Sequence, residues 1–282
     1  IRWKKKLRKF SLDRILMNST FITKFKIIYY PAFPEKESRN ITFQNILMTE
    51  ETQKISVLDK GFVEVIDKLG SDLTVVNSAR VSFGKAKQEF TERDRVLVRY
   101  LAENKHYSPF RHIIVQFHVK APEFVMRQWY KHVVGIETSS SYPTKDHAWN
   151  EISGRYVPVS DFYTPDKWRA QSDDNKQASA GEVENQDEAK KVFENAMNEI
   201  LMCYNKLLEL GVAKEQARVI LPLNQFTEVY WTASFQAVMN FIDLRDHTHA
   251  QWEIREYAKV IKDFMLELFP ETTKIWFEVQ NK

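Results

Sequence analysis

Alternating apolar and polar residues predict a β-strand near the middle of the chain. Between His112 and Lys120, isoleucine, valine and phenylalanine occupy every second position, and polar residues occupy most positions between them. A period of two places the apolar side chains on one face of a sheet. The stretch therefore predicts a strand with one buried face and one polar face.

Shorter runs of β-branched and aromatic residues predict four more strands. Three of them cover residues 55–58, 62–66 and 226–233, and each is rich in valine, isoleucine, phenylalanine or tryptophan. Such residues favour a pleated, half-buried surface. A fourth strand is predicted over residues 156–159, directly after a polar motif.

Apolar residues that recur every three or four positions predict helices between these strands. Asp72 is a suitable N-cap for a helix through Ala79, and Thr91 with Asp94 resembles a capping box for a helix ending near Asn104. Further helices are predicted from Pro122, from Val192 to Gly211, over 213–220, over 235–244, and over 250–268 with an end at Pro270.

The irregular alternation of helices and strands, without an internal repeat, indicates one domain of mixed α/β (α+β) class. We expect a central antiparallel sheet flanked by helices. The polar segment 166–191 contains Ser, Gln, Asn, Asp and Gly and predicts a surface loop with a helix starting toward its end.

Composition narrows the class of protein. The chain has 282 residues, of which 43% are hydrophobic and 28% charged, as in globular proteins. The single cysteine, Cys203, excludes an internal disulfide framework, favours a reducing, cytoplasmic compartment, and is expected to be a structural thiol. No apolar run approaches the roughly 20 residues that span a bilayer. No GxGxxG or GxxxxGK[ST] motif occurs, so no Rossmann or Walker loop is expected.

Charge divides the chain into a basic leader and a mildly acidic body. Residues 1–47 carry eleven Lys/Arg and three Asp/Glu, a net charge of +8, so the remainder carries −5. Three interpretations of the leader stay open: translated upstream sequence without function, a targeting segment, or an extension that binds anions or partners. We expect a leader over 1–47 and a folded domain over 48–282.

A polar stretch from Arg127 to Tyr156 is the strongest candidate for a binding site. It contains cations, a histidine, a carboxylate beside an amide, and several hydroxyls. Buried polar groups need partners, so this composition does not suit a core element. The set suits an anionic, planar ligand such as a nucleotide. The alternative is a solvated loop between a helix and a strand.

A second polar cluster lies between two predicted helices, from Asp243 to Glu253. Arg245 at a helix end can form paired hydrogen bonds with a carbonyl or phosphate. Arg218 lies on an otherwise apolar helix, where it either extends its charge to solvent or binds an anion in a cleft. His247 and His249 match no standard helical metal-ligand spacing, so no metal site is expected.

The chain resembles the flavin-dependent thymidylate synthases. The resemblance covers about residues 54–270 and is carried by several motifs in order. The matching segments are Leu58–Phe62, Ser108–His112, Gln128–His132, Asn150–Tyr156, Arg218–Asn224, Leu244–Arg245 and His249–Ile254.

The resemblance implies the reductive methylation of dUMP to dTMP in dTTP biosynthesis. The carbon donor would be methylenetetrahydrofolate, the reductant FAD, and NADPH a further co-substrate. The resemblance also implies a homotetramer, with a non-Rossmann flavin site formed between subunits. No nucleic-acid or membrane partner is expected, because the body of the chain is mildly acidic and has no apolar run long enough to span a bilayer.

Residue roles follow from motif positions. Arg245 would be catalytic and would polarise the pyrimidine. The dUMP-binding residues would be Gln128, Lys131, Glu151, Ser153, Gly154, Arg155, Arg218 and Arg245. The FAD-binding residues would be His106, Ser108, Lys131, His132, Glu151, Ser234, Gln236 and Asn240.

The chain departs from the family pattern at the flavin contacts. Lys131 and Val133 replace two arginines, Ala148 replaces a serine, and 234–236 replaces an Asn-x-Arg pattern, while the spacer between the motif halves is longer than usual. Lysine cannot form the paired hydrogen bonds of arginine, and valine has no charge. Substitutes could come from the insert 133–149, in particular Thr138, Ser139, Ser140 and Lys145.

Two alternatives to an enzyme stay open. One is a family member that has lost catalysis and only binds nucleotide or flavin. The other is a nucleic-acid-binding protein that uses the basic leader, which the acidic body disfavours.

Overall fold

The computed structural model describes residues 53–132, 135–136, 144–145, 147–173 and 179–280. The chain divides into two units, Ile1–Met48 and Thr49–Lys282, and all described residues belong to the second. The predicted leader lies outside the described residues. So do Val133, Thr138, Ser139, Ser140 and the side chain of Lys145.

Antiparallel strands form the central sheet. The described strands are β1 Lys54–Val57, β2 Gly61–Leu69, β3 Ile114–Pro122, β4 Gly135–Ile136, β5 Thr144–Lys145, β6 His147–Glu151, β7 Arg169–Gln171, β8 Ser179–Glu182 and β9 Phe226–Ser234. The main sheet has the order β1-β2-β3-β9-β6, and every neighbouring pair is antiparallel. Two small hairpins, β4-β5 and β7-β8, lie outside it. The predicted class and four of the predicted strands are confirmed.

Helices follow four of the nine described strands, β2, β3, β8 and β9. The helices are α1 Asp72–Arg80, α2 Glu92–Glu103, α3 Glu123–Trp129, α4 Gln186–Glu209, α5 Lys214–Ala217, α6 Phe235–Arg245, α7 Trp252–Leu268 and α8 Pro270–Gln280. Short 3₁₀ turns cover Val81–Phe83, Ser108–His112 and Arg218–Ile220. The predicted capping box of α2, formed by Thr91 and Asp94, is confirmed.

One face of the sheet carries the core, as the alternation in β3 predicts. Val115, Phe117 and Val119 are fully buried and alternate with partly exposed polar residues. From the covering helices, the Trp129 ring stacks on Phe241 with centroids 4.5 Å apart. Trp129 also meets the ring of Trp231 on β9 edge-on at 5.5 Å. These large aromatic contacts attach α3 and α6 to the same face of the sheet.

Several predicted boundaries are wrong. No strand forms over 156–159, because the amides of Tyr156 and Val157 bond back to the Ser153 carbonyl in a turn. The strand that forms in this region is β6. It lies earlier in the chain than the predicted strand, at His147–Glu151, and pairs with β9. The polar segment 166–191 is not simply a loop before its helix, since it contains the β7-β8 hairpin. The helix start predicted toward its end is confirmed by α4.

The helix over 250–268 ends as predicted, but the cap of α1, the presence of α8 and the exposure of one thiol differ from the predictions. Ser71, not Asp72, caps α1, and Asp72 accepts the Thr272 amide at 2.7 Å at the start of α8. Pro270 begins that helix, since proline fits the first turn, where no intrahelical donor is needed. Cys203 is exposed on α4, so its thiol does not contribute to the described core.

A glycine allows α7 to approach the first hairpin. A Cβ on Gly61 would lie 1.9 Å from the Tyr257 hydroxyl and 2.7 Å from the Lys120 carbonyl oxygen. The same Tyr257 hydroxyl donates to that carbonyl at 2.8 Å. This hydrogen bond therefore requires glycine at position 61.

A buried carboxylate fixes the segment between α1 and α2. Asp94 is fully buried and receives hydrogen bonds from Arg80 at 2.9 Å, from the Thr91 amide and hydroxyl, and from Lys87 at close range. Burial alone would raise the pKa of Asp94. Hydrogen bonds from Lys87 and Thr91 outweigh burial and lower the pKa to about 2.

We expect Asp94→Asn to destabilise the fold by about 2 kcal/mol at neutral pH. The lowered pKa means that this stabilisation is present above about pH 4 and declines as pH falls toward 2. Urea unfolding at several pH values measures both effects. Glu92→Gln, which removes an exposed partner of Arg95, is the control and should change stability by less than about 0.5 kcal/mol. Equal losses in the two variants would contradict the assigned role of Asp94.

Candidate active site

The predicted catalytic arginine lies where two helices end beside each other. Arg245 is the last residue of α6. Its Nε donates to His132 Nε2 at 2.9 Å, and its Nη2 donates to the backbone oxygen of Gln128 at 3.4 Å. The structure thus brings together three residues predicted for one site, from segments more than a hundred positions apart.

His132 is neutral in this arrangement. Its ring is buried at 8% exposure and meets the Phe241 ring edge-on. Burial, and after it the positive charge of Arg245, lowers the pKa of His132 to about 4. A neutral Nε2 can accept the hydrogen bond from Arg245, whereas a protonated ring could only donate. Burial also lowers the pKa of Arg245.

A cleft opens beside this pair. Its lining residues are Lys131, His132, Asn240, Asp243, Leu244 and Arg245. The exposed ammonium of Lys131 and the amide of Asn240 are donors that could hold the anionic or carbonyl groups of a flavin nucleotide. The set fits such a cofactor, although Lys131 offers no paired hydrogen bonds.

A second group of predicted residues lies at the end of β6. Glu151 Oε1 accepts a hydrogen bond from the buried Thr227 hydroxyl at 2.8 Å, and the Trp149 indole is 3.4 Å from Oε2. The neighbouring Glu123 is partly buried. Burial, and after it the charge of Glu151, raises the pKa of Glu123. Two carboxyl groups therefore interact at this end of the sheet.

The turn after β6 presents a cationic edge. The Ser153 hydroxyl accepts from the Arg155 backbone amide at 3.3 Å and from its Nε at 3.4 Å. Gly154 lies so close to Arg218 that an added Cβ would be 3.3 Å from Arg218 Cδ. The two arginines are both exposed and flank this turn, which suits an anionic ligand.

The remaining predicted flavin residues lie elsewhere in the chain. His106 and Ser108 are exposed at and before the 3₁₀ turn leading to β3. Ser234 is fully buried and caps α6 by accepting from the Ala237 amide at 3.4 Å. Gln236 is buried, and its side-chain oxygen accepts from Arg111 at 2.7 Å.

Strand register shows that these groups are separate within one chain. Glu151 pairs with Val229, whereas Ser234 ends β9 and pairs with Ile114. Ser234 lies five positions further along β9 than Val229, a distance of about 17 Å. A single chain therefore does not bring Glu151 and the 234–236 segment together.

Sequence reasoning missed Glu123 and Thr227, which contact or influence Glu151. Glu123 follows Pro122 at the start of a helix, where an acidic residue is common for electrostatic reasons alone. Thr227 is an ordinary strand residue. Neither has a sequence signal that separates it from a structural residue, because its role depends on the pairing of β6 with β9.

The described part of the chain contains no group of three or more His, Cys, Asp or Glu residues that could hold a metal. The His247 and His249 rings instead meet each other edge-on at 4.8 Å. Within the same residues, none of the helices has the length and apolar character needed to cross a bilayer.

Comparison with known proteins gives consistent relatives. The family model described as "Thymidylate synthase complementing protein" matches residues 64–271. A flavin-dependent thymidylate synthase from Thermosipho melanesiensis is 41% identical over 222 residues, covering 78% of this chain and 91% of the relative. The Thermus thermophilus enzyme of the same name is 43% identical over 217 residues, covering 77% and 75%.

A solved structure has the same fold. The crystal structure of a UMP/dUMP methylase, PolB from Streptomyces cacaoi, bound with 5-Br dUMP, aligns with a TM-score of 0.68 at 29% identity. The alignment covers 79% of this chain and 97% of that one. The matched family model covers most of the folded domain, and the relatives share its length. The chain therefore belongs to the flavin-dependent thymidylate synthase family.

Proposed function

We propose that the chain is a flavin-dependent enzyme that methylates dUMP to dTMP, with methylenetetrahydrofolate as carbon donor and NADPH as the source of reducing equivalents. The observation that carries the proposal is the Arg245–His132–Gln128 arrangement beside the cleft of Lys131 and Asn240. Family membership supports it, since the named relatives are thymidylate synthases. The matched solved structure is a dUMP methylase.

Arg245 provides the positive charge that the chemistry needs. Addition of hydride to the pyrimidine ring leaves negative charge on the ring and its carbonyl oxygens. Among the described residues no carboxylate pairs with Arg245, and its hydrogen bonds go to the neutral His132 and a backbone oxygen. The guanidinium therefore keeps its charge for the ligand, and partial burial strengthens its effect.

The turn after β6 provides the binding groups for the nucleotide. Arg155 and Arg218 are exposed cations on either side of Gly154, and Ser153 lies within the same turn. In the proposed complex the arginines bind the nucleotide and Ser153 lies near the uracil as a hydrogen-bonding group. Gln128, Lys131 and Glu151 complete the dUMP site.

A bound flavin, proposed to be FAD, supplies the hydride. We assign its contacts to Lys131, His132, Glu151 and Asn240, with His106, Ser108, Ser234 and Gln236 on the flavin side. Ser234 and Gln236 already have partners within the chain, so a flavin contact from them would use the backbone or a rearranged side chain.

The proposal includes a homotetramer and a cytoplasmic location. The separation of the Glu151 group from the 234–236 segment supports assembly, because a second copy could bring the two groups to one flavin. The single cysteine supports a reducing compartment. The competing proposal is a nucleotide-binding protein without catalysis, and an anaerobic assay of dTMP formation from dUMP, methylenetetrahydrofolate and NADPH distinguishes the two.

Arg245→Ala should reduce dTMP formation by at least about a hundredfold, because the charge on the pyrimidine is no longer stabilised. Bound flavin should remain largely in place, as measured by absorbance of the purified protein. Arg93→Ala, an exposed arginine on α2, is the control and should retain turnover. Near-normal turnover in Arg245→Ala would exclude the catalytic role of this residue.

His132 should remain unprotonated at about pH 5, where an ordinary histidine of pKa about 6.5 is mostly charged. NMR titration of nitrogen-labelled histidine measures this, and His132→Gln identifies the signal by its loss. Arg245→Ala should raise the pKa of His132 only in part, because burial is the larger cause of the shift. A midpoint near pH 6.5 in the unaltered protein would show that the pKa of His132 is not lowered and would contradict the buried environment assigned to its ring.

A further inference from the structure

A buried glutamate at the start of α7 collects three donors. Glu253 is 3% exposed. Its Oε1 pairs with Arg169 Nη2 at close range and lies 3.3 Å from the Tyr163 hydroxyl, and its Oε2 accepts from Gln251 Nε2 at 2.9 Å. Arg169 comes from the β7-β8 hairpin and also lies over the Trp252 ring at 5.0 Å. The carboxylate is thus held in one orientation by separate parts of the chain.

Hydrogen bonds continue from this carboxylate to the proposed dUMP site. Gln251 Oε1 accepts from Gln128 Nε2 at 2.7 Å. Gln128 Nε2 also donates to the Phe124 carbonyl at 3.3 Å, one turn earlier in α3. The backbone oxygen of Gln128 in turn receives Arg245. A continuous series of hydrogen bonds therefore runs from Glu253 through the side chains of Gln251 and Gln128. It ends at the backbone oxygen of Gln128, which Arg245 contacts.

The direction of this series is determined by its buried end. A carboxylate accepts hydrogen bonds and does not donate, so Gln251 must present its NH₂ group to Glu253. Its oxygen is then the atom that faces Gln128, which must present its own NH₂ group. Both protons of Gln128 Nε2 are used, by Gln251 and by Phe124. Among the described residues none donates to the Gln128 side-chain oxygen, which is left as the group available to a ligand.

We propose that Glu253 and Gln251 are positioning residues that fix the amide of Gln128 with its oxygen toward the nucleotide. The inference rests on the proposed function, because it assigns Gln128 to the dUMP site. An available oxygen accepts a hydrogen, so the ligand group that meets it is an N–H or a hydroxyl. The imide N–H of uracil and a sugar hydroxyl have this chemistry, whereas a phosphate dianion does not. A reversed amide would instead meet these groups with a second donor.

Gln251→Leu is the deciding variant. Gln251 is exposed and precedes α7 without using its side chain to cap the helix. Glu253 loses one donor but keeps Arg169 and Tyr163, so the substitution should lower the melting temperature only slightly. Calorimetric titration of the full-length, flavin-containing protein with dUMP should show about three- to tenfold weaker binding, the value of one lost hydrogen bond. Glu256→Gln, which removes the partly exposed partner of Lys259 on the same helix, is the matched control and should bind dUMP normally.

A double-mutant cycle with Gln128→Leu separates positioning from a general structural effect. If Gln251 acts through Gln128, Gln251→Leu should weaken dUMP binding when it is the only substitution. In a protein that already carries Gln128→Leu, it should cause no further loss of affinity. Losses that multiply in the double variant would overturn the positioning role. Unchanged affinity in Gln251→Leu would overturn it as well.

Glu253→Gln tests the buried end of the series. Glutamine has nearly the same size but can both donate and accept, so the direction of the Gln251 amide is no longer fixed. We expect weaker dUMP binding together with a lower melting temperature, because the ion pair with Arg169 is also lost. Unaltered dUMP binding in this variant would contradict the proposal. If the unaltered protein does not bind dUMP, the proposed function itself fails. If the unaltered protein and the variants bind dUMP equally well, only the positioning role fails.

Discussion

The antiparallel pairing of β3 with β9 determines where the site lies. Because the two strands run in opposite directions, α3 and α6 begin at opposite ends of the pair and both turn back over its apolar face. The stacked rings of Trp129 and Phe241 hold them there. The helices are short, about 10 and 16 Å, so their last residues meet over the sheet. This geometry places Arg245 beside His132.

Burial gives that contact its chemical character. A histidine in water would be partly charged near pH 6.5 and would repel an arginine. Within the aromatic core, His132 loses its proton more easily and becomes an acceptor for Arg245. The packing that stabilises the fold thus also keeps the guanidinium positioned and free of a carboxylate partner among the described residues. Stability and proposed catalysis depend on the same aromatic face.

The sheet also separates groups that the proposed reaction requires together. Glu151 and the turn containing Gly154 lie toward the end of β9 where Phe226 pairs with Pro122, whereas Ser234 and Gln236 lie at the opposite end. The series from Glu253 to Gln128 shows a further dependence on tertiary structure, because it connects the β7-β8 hairpin to α3. Sequence reasoning included Gln251 and Glu253 only as parts of a motif. Their contacts with Gln128 required the fold.

Local pattern by itself determined the elements whose period is strong. The alternation in β3, the capping box of Thr91 and Asp94, and the helical spacing in α6 and α7 each reflect a rule that operates within a few residues. The ordered motifs determined the family. Tertiary structure decided the rest: β6 replaced the predicted strand at 156–159 because β9 offered its hydrogen bonds to 147–151, and Pro270 began a helix that Asp72 helps to hold. Such choices depend on partners distant in sequence, and no local pattern records where those partners will lie.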